Sequence, residues 1–322
     1  MVSIVVADAD GIPRAESVDF ALDADYGDDS NDFALQLFDG IRMGAGWRWW
    51  IDGSELGGVV DAVSAKTTRK GRTVEYSGRL WSGILASRVI CPPRGHDHRT
   101  AKGDANEALG ELIDALGAGD VFAPAAGVAG IAVDYTFDRF CDAWSGIRGM
   151  LRASHARLSV RWVQGRAELS AVPVGGGGYV DDDLLDLDIL QQWRCTNHLV
   201  CLGSGEMQNR TVLDLYADET GKVSETQTLF GVDEMAETYE YSNADEAGLK
   251  EEGAKKLAEM QTRGSVGATV RDGASELHIG DTVHGRDNAL GTDVTGEVVQ
   301  KTVKASNGRL SASYGIGTPS MV

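Results

Sequence analysis

Cys195, His198 and Cys201 stand three residues apart, and a Gly203-Ser-Gly205-Glu206 follows them directly. Thiolates and an imidazole bind zinc, and glycine-rich turns cradle phosphates, so residue type alone allows either chemistry. Spacing argues against both. A structural zinc site needs four ligands, ordinarily a close Cys pair with a second pair elsewhere. None of the four cysteines, at 91, 141, 195 and 201, forms a C-x-x-C. The run reads as a strand, whose side chains alternate faces, so Cys195 and Cys201 share one face and His198 points to the other. For phosphate, no Lys follows Gly205, and residues 211–216 read as a strand where a P-loop or dinucleotide fold needs a helix. The expected role is a buried strand, 199–202, that turns or bulges at its glycines.

Other chemistry-bearing stretches weaken in the same way. Gly95-His-Asp-His98 follows Pro92-Pro93 and has no H-E-x-x-H pattern or matching acid, so it reads as a solvated loop. Asp23-x-Asp25-x-Gly27-Asp-Asp-Ser-Asn-Asp32 looks like a calcium loop. It lacks the oxygen ligand at position 5, the Gly at 6 and the Glu at 12. With the second acidic run, at 181–183, 186 and 188, it reads as solvated loop or as a face for a positively charged partner. Trp47 and Trp49 fall on one face of an aromatic strand and Trp50 on the other. Such a strand serves a carbohydrate platform, a core or an interface. There is no G-x-S-x-G, no nucleophile beside a base and no distinctive carboxylate pair. No catalytic, cofactor-binding or metal residue is assigned, no cofactor is expected, and the chain is not expected to be an enzyme. The residues expected at an interface are Trp47, Trp49, Trp50, Asn197, His198 and Glu206.

The elements that must position these residues are mostly strands. Forty-one glycines and six prolines are spread among short apolar runs in 322 residues that are 42% apolar and 25% charged. A strand at 3–7 ends at Asp8-Ala-Asp-Gly11. Others follow at 33–38, 46–51 with a turn at Asp52-Gly53, 57–66, and 73–85 after Lys70-Gly71. Pro92-Pro93 ends this segment. Asp104-Ala-Asn-Glu107 opens a helix carrying Leu109, Leu112, Ile113 and Leu116, stopped by Gly117 and Gly119. A strand at 131–137 precedes a second helix over about 138–155, with Phe140, Trp144, Ile147 and Leu151 on one stripe. Strands 158–162 and 166–172 flank a Gln164-Gly165 turn. Gly175–Gly178 reads as a flexible junction. Strands at 196–202 and 211–216 then precede a third helix, about 244–262. Strands run from 265 to 316, with Asn307-Gly308 as a type I′ turn. The expected fold is α+β and mostly β. Its divisions are a first barrel-like domain at 1–98, an inserted α+β domain at 99–178, and a return to the β body, with one helix, at 179–322.

A net charge of −19 opposes specific nucleic-acid binding, which needs basic patches. No run of about 18 apolar residues would span a membrane, and the N-terminus has no signal-peptide pattern, so synthesis in a cytoplasm with no membrane anchor is expected.

Four stretches together resemble a family. They are Val74-Glu-Tyr-Ser-Gly-Arg79-Leu-Trp81-x-Gly83-Ile-Leu85; Val89-Ile-Cys-Pro-Pro93; Asn197-His-Leu-Val-Cys-Leu-Gly203-x-Gly205-Glu206; and Ile279-Gly-Asp281-x-Val283-x-Gly-Arg286-Asp287. In order and spacing they resemble siphophage and prophage tail proteins that form the baseplate hub or the N-terminal part of the tail-associated protein. The resemblance covers nearly the whole chain. It implies a homotrimeric ring of barrel-like domains below the tail tube, akin to the hub of contractile-phage baseplates. It also implies a place in the virion tail after assembly in the host cytoplasm. The implied partners are the tube or distal tail protein and the tail fibre or lysin proteins, with DNA passing through the ring. An acidic lumen would let the duplex slide. The alternative is a cell-wall-degrading or carbohydrate-binding tail-tip protein. The sequence ends at Val322, just past the last hairpin, so a lysin or receptor-binding region is expected in a neighbouring protein.

Overall fold

The computed structural model describes residues 2–28, 30–69, 71–175, 185–191, 195–242, 244–261, 264–270, 277–287, 291–306, 309–317 and 320–321. The chain divides into two compact units, Met1–Leu187 with Gly267–Val322, and Asp188–Val266.

The first unit is built on a long sheet. From Gly264–Val270 its order runs through Arg309–Ile316, Thr292–Ser306, Phe20–Gly27, Asn31–Leu37, Gly71–Leu80, Gly57–Thr68, Arg48–Trp50 and Ile4–Ala7 to Pro13–Ser17. Each of these neighbours pairs antiparallel. Thr282–Asp287 and Ser320–Met321 pair with Thr292–Ser306 off this path. The expectation of barrels is corrected here: among the described residues no sheet closes on itself, and the path ends at Pro13–Ser17. Proline lacks a ladder donor and belongs on an edge.

The Asp-rich segment read as a loop is instead a pair of strands. Phe20, Leu22, Ala24 and Tyr26 face inward, while Ala21, Asp23 and Asp25 face out. Asn31–Leu37 continues the pattern with Phe33 and Leu35 inward and Asp32 exposed. The carboxylates occupy the solvent half of a period-two alternation, which their density disguised.

Helix α1 (Trp81–Ala86) lies where the strand ending at 85 was expected. Trp81 to Leu85 are all buried, so no alternation marks the change. A Cβ on Gly83 would stand 2.2 Å from the Asn31 carbonyl oxygen, so only glycine fits. Helix α2 (Ala105–Ala115) starts as expected. The Asp104 carboxylate accepts backbone N–H groups from Asn106, Ala129 and Gly130 at 2.8–2.9 Å, capping the helix and fixing a distant loop. Helix α3 (Ala143–Ala153) begins later than expected because Asp142 caps it through Ser145 N–H. Phe140 therefore lies before the helix, exposed and at φ 59°, and not on the buried stripe of Trp144, Ile147, Met150 and Leu151.

Thr100–Asp104 pairs with Ala132–Thr136, and Ala156–Val163 pairs with Arg166–Pro173. Gln164 and Gly165 both have positive φ, the geometry of the expected tight turn. These α+β elements share one apolar core with the N-terminal strands.

In the second unit, Val223–Ser224, Val212–Ala217, His198–Leu202 and Ala236–Glu240 form a sheet in that order. Helix α4 (Glu246–Glu259), capped by Asp245, buries Leu249, Gly253 and Leu257. These pack with Leu199, Cys201 and Leu215 of the sheet.

The Lys70-Gly71 turn involves Lys70, which lies outside the described residues, as do Gly176 to Gly178 of the junction, the acidic residues 181–183, and Asn307-Gly308. The last pair is flanked by the expected register, Ser306 opposite Arg309. Asp186 and Asp188 fall in the strand Leu185–Gln191. No described helix is long and apolar enough to cross a membrane.

Candidate functional site

The aromatic strand is spent on the core. Trp49 is fully buried and meets Phe33 edge-on at 4.9 Å. Trp50 stacks on Trp162 at 4.4 Å, and Trp162 stacks on Trp81 at 5.0 Å. All three residues of Arg48–Trp50 are buried, so the strand is covered on both faces. Of the roles open to this strand, core packing is the one Trp49 and Trp50 take, and Trp47, half-buried, is the one of the three with solvent access. A flat carbohydrate platform is therefore not formed by these tryptophans.

The second set of expected residues lies in the second unit. Cys201 is buried beside Leu199, whereas His198 points from the opposite face of the same strand. The His198 ring places Nδ1 2.8 Å from Glu234 Oε1 and Nε2 2.8 Å from Asp214 Oδ1. It also stacks on Tyr216 at 4.5 Å. Burial opposes the imidazolium, but hydrogen bonds to the two carboxylates outweigh it and raise the pKa above 6.5. With both nitrogens engaged, the ring is neither a free base nor a free ligand.

Asn197 is buried and works on the backbone. Its Nδ2 donates to the Asp233 carbonyl at 2.6 Å, and its Oδ1 accepts Met235 N–H at 3.0 Å. Together Asn197 and His198 hold the segment 233–235 against the sheet. Glu206 is exposed on the loop between His198–Leu202 and Val212–Ala217. That loop is closed by Gly203 N–H to the Thr211 carbonyl and Thr211 N–H to the Ser204 carbonyl, both at 2.8 Å. Gly205, at φ 99°, lets the Asn209 carbonyl approach where a Cβ would stand 2.2 Å away. The glycines serve a turn, as their spacing implied.

Sequence reasoning missed an ionic cluster in the first unit, in which half-buried Glu55 meets buried Lys301 and Tyr26. Glu55 Oε1 accepts Lys301 Nζ and the Tyr26 hydroxyl, each at 2.5 Å, with His278 Nδ1 at 3.6 Å. Burial pushes the Glu55 carboxyl up. The neighbouring His278 ring, the Lys301 charge and hydrogen bond, and the Tyr26 hydroxyl outweigh this and bring it to about 2. The Lys301 ammonium also lies over Tyr26 and Tyr314, 5.9 and 5.5 Å from their ring centres. Nothing local in the sequence marks this contact, because Glu55 and Lys301 are 246 residues apart. Glu55 also lines a cavity of about 210 Å³, walled by Leu56, Leu158 and Ile279. The arginines at this cavity are each matched by an acid: Arg148 by Asp28, Arg152 by Glu297 and Arg157 by Asp281. This is the charge pattern of a fixed junction between elements. Among the described residues, no three His, Cys, Asp or Glu side chains stand in a metal-binding arrangement.

The outward face of the long sheet is rich in carboxylates, and Lys304 pairs with Asp23 there at 3.4 Å. Asp23, Asp25, Asp32 and Asp61 stand there with Ala34, Ser77 and Arg79. Asp25 lies directly opposite Asp32. Gln300 and Thr302 donate to Asp25, and Arg79 forms a two-point bond to Asp61.

No family model matches the chain, and no curated protein does. The fold itself is found among solved phage tail proteins. The chain is similar over 99% of its length to the 43 kDa tail protein of prophage MuSo2 from Shewanella oneidensis. That match covers 97% of the other chain at 12% identity, with a TM-score of 0.52. It is similar over 98% of its length to a chain of the phage P2 baseplate in its activated conformation with calcium. There the match covers 98% of the other chain at 11% identity, with a TM-score of 0.52. A tail protein from Neisseria meningitidis MC58 aligns at 15% identity over 98% of this chain and 96% of its own, with a TM-score of 0.48.

Proposed function

We propose that the chain is a structural component of a phage or prophage-derived tail. In this reading it forms a homotrimeric baseplate hub or tail-tip ring at the end of the tail tube, as in a siphovirus, and acts as scaffold and conduit without catalysis. The observation that carries the reading is the likeness in fold to two tail and baseplate chains over nearly the full length of both partners. The engagement of the His198 ring and of the cavity arginines within the chain itself also supports it.

The expected partners are the tube or distal tail protein above, and fibre or lysin proteins below. A surface with net charge −19 repels phosphates, so a duplex would pass such a ring without being held. The three-part division at residues 98 and 178 belongs to this reading, with the α+β module carried on the β body. Of the six residues expected at contacts, Trp47, His198 and Glu206 are proposed to act at the surface. Trp49, Trp50 and Asn197 would support them from within.

Deletion of the gene from an inducible phage or prophage tests the reading. The expected result is tails that lack their tip, with infectivity restored by the gene in trans. Intact, infectious tails after deletion would overturn it.

A further inference from the structure

Gly57–Thr68 and Gly71–Leu80 pair from Gly58–Leu80 out to Thr68–Gly71. Asn31–Leu37, the neighbour of Gly71–Leu80, reaches along it only to Tyr76. Beyond that point the two strands continue as a ribbon with no third strand among the described residues. Residues Asp61 to Arg69 and Gly71 to Thr73 are exposed. At about 3.4 Å per residue, the five paired positions from Ser64 to Thr68 extend the ribbon by roughly 15 Å.

The ribbon differs in charge from the rest of the chain. No acidic residue falls between Asp61 and Glu75, while Lys66, Arg69, Lys70 and Arg72 do, in a chain of net charge −19. Its faces also differ. Val63 lies opposite Tyr76, Ala65 opposite Val74, and Thr67 opposite Arg72. Alternation therefore gathers Val63, Ala65, Thr67, Arg72 and Val74 on one face, with Arg69 in the turn at its tip. Val63 is 60% exposed, although it continues the line of buried Tyr76. A two-stranded ribbon is at best marginal alone in water. Valines beside the arginines fit a protein surface better than a phosphate backbone, which needs cations only.

We propose that this hairpin is an intermolecular arm, and that its apolar and basic face lies on the acidic outer face of the long sheet in a second copy of the chain. That face offers what the arm needs. Asp25 on one strand and Asp32 on the next carry the charge, beside Asp23, which pairs with Lys304 of its own chain, and Ala21 and Ala34 between them are low ground for Val63 and Ala65. Because the arm of one copy meets a different surface of the next, the contact is head-to-tail and closes into a ring when the rotation allows. The proposal rests on the ring-forming reading and names its contact.

The test uses the full-length chain. A photo-crosslinking benzoylphenylalanine replaces Arg69, and this copy is mixed with isotope-labelled wild type at concentrations spanning assembly. The expected cross-link joins position 69 of one copy to a labelled peptide containing Asp23 to Gln36. R69E/R72E should weaken self-association at least tenfold in sedimentation while keeping the wild-type circular dichroism. Combining both changes in one chain, R69E/R72E/D23K/D32K, should restore the complex. A monomer at all concentrations, cross-links confined to one copy or to another surface, or unchanged association of R69E/R72E would each overturn the proposal. Recovery of the wild-type chain from purified tails is measured separately. Its presence alongside failed cross-linking leaves the tail reading standing and removes the arm, whereas its absence removes the tail reading whatever the cross-links show.

Discussion

His198 holds two acidic segments to one strand, because Asp214 lies on the adjacent strand and Glu234 on the chain preceding Ala236–Glu240. Its pKa is raised in the folded chain, so the stabilisation is complete below the unfolded value near 6.5 and fades as pH rises through the folded value. NMR titration should place His198 above the ordinary histidine range. H198Q should lower stability most below pH 6 and least in alkali. Glu55 has the opposite sign. Its carboxylate, at about 2 when folded against an ordinary 4.5, contributes above 4.5, and that contribution falls as acid approaches 2. E55Q leaves Lys301 buried without its counter-charge and should cost about 3–5 kcal/mol at pH 7. The gap between the two chains' thermal midpoints should shrink between pH 4.5 and 2. Asn197 is buried with both side-chain ends bonded to backbone, so N197A should cost about 1–3 kcal/mol in urea melts.

Between elements, the close fit of α4 to its sheet decides the second unit. A Cβ on Gly253 would stand 2.6 Å from Cys201 Sγ and 2.9 Å from Leu215 Cδ1. Alanine is the better helix former by about 1 kcal/mol, but overpacking a core costs about 1–3 kcal/mol. G253A should therefore destabilise the chain, and C201A/G253A should recover most of the loss in the same melts. The helix and both strands here were legible because each signal is local: the run Asn243 to Glu246 as a capping pattern, Leu249 and Leu257 at helical spacing, and glycines at the turn. Where the sequence misled, burial on both sides erased the period, as at Trp81–Ala86. At Phe20–Gly27, acid density resembled a loop although its apolar residues alternated. Metal and phosphate uses of the stretch 195–206 were excluded from spacing alone. The clamp on His198 was not visible, since its partners come from 16 and 36 residues away.

For the whole molecule, the long sheet joins the ends of the chain: Thr292–Ser306 pairs with Phe20–Gly27, and Ile4–Ala7 lies further along the same order. This explains why the expected barrels do not appear. Strands from both ends extend one open sheet, and the α+β elements cover it through the shared core. In the proposed reading, the acidic outer face of this open sheet and its basic hairpin belong to a subunit that is completed by its neighbours. The most direct test of that role is quantitative mass spectrometry of tails purified after induction of the phage or prophage. The account predicts the chain in every preparation, at three copies per tail relative to the tube protein. Tails that are complete and infectious yet contain none of it would contradict the account.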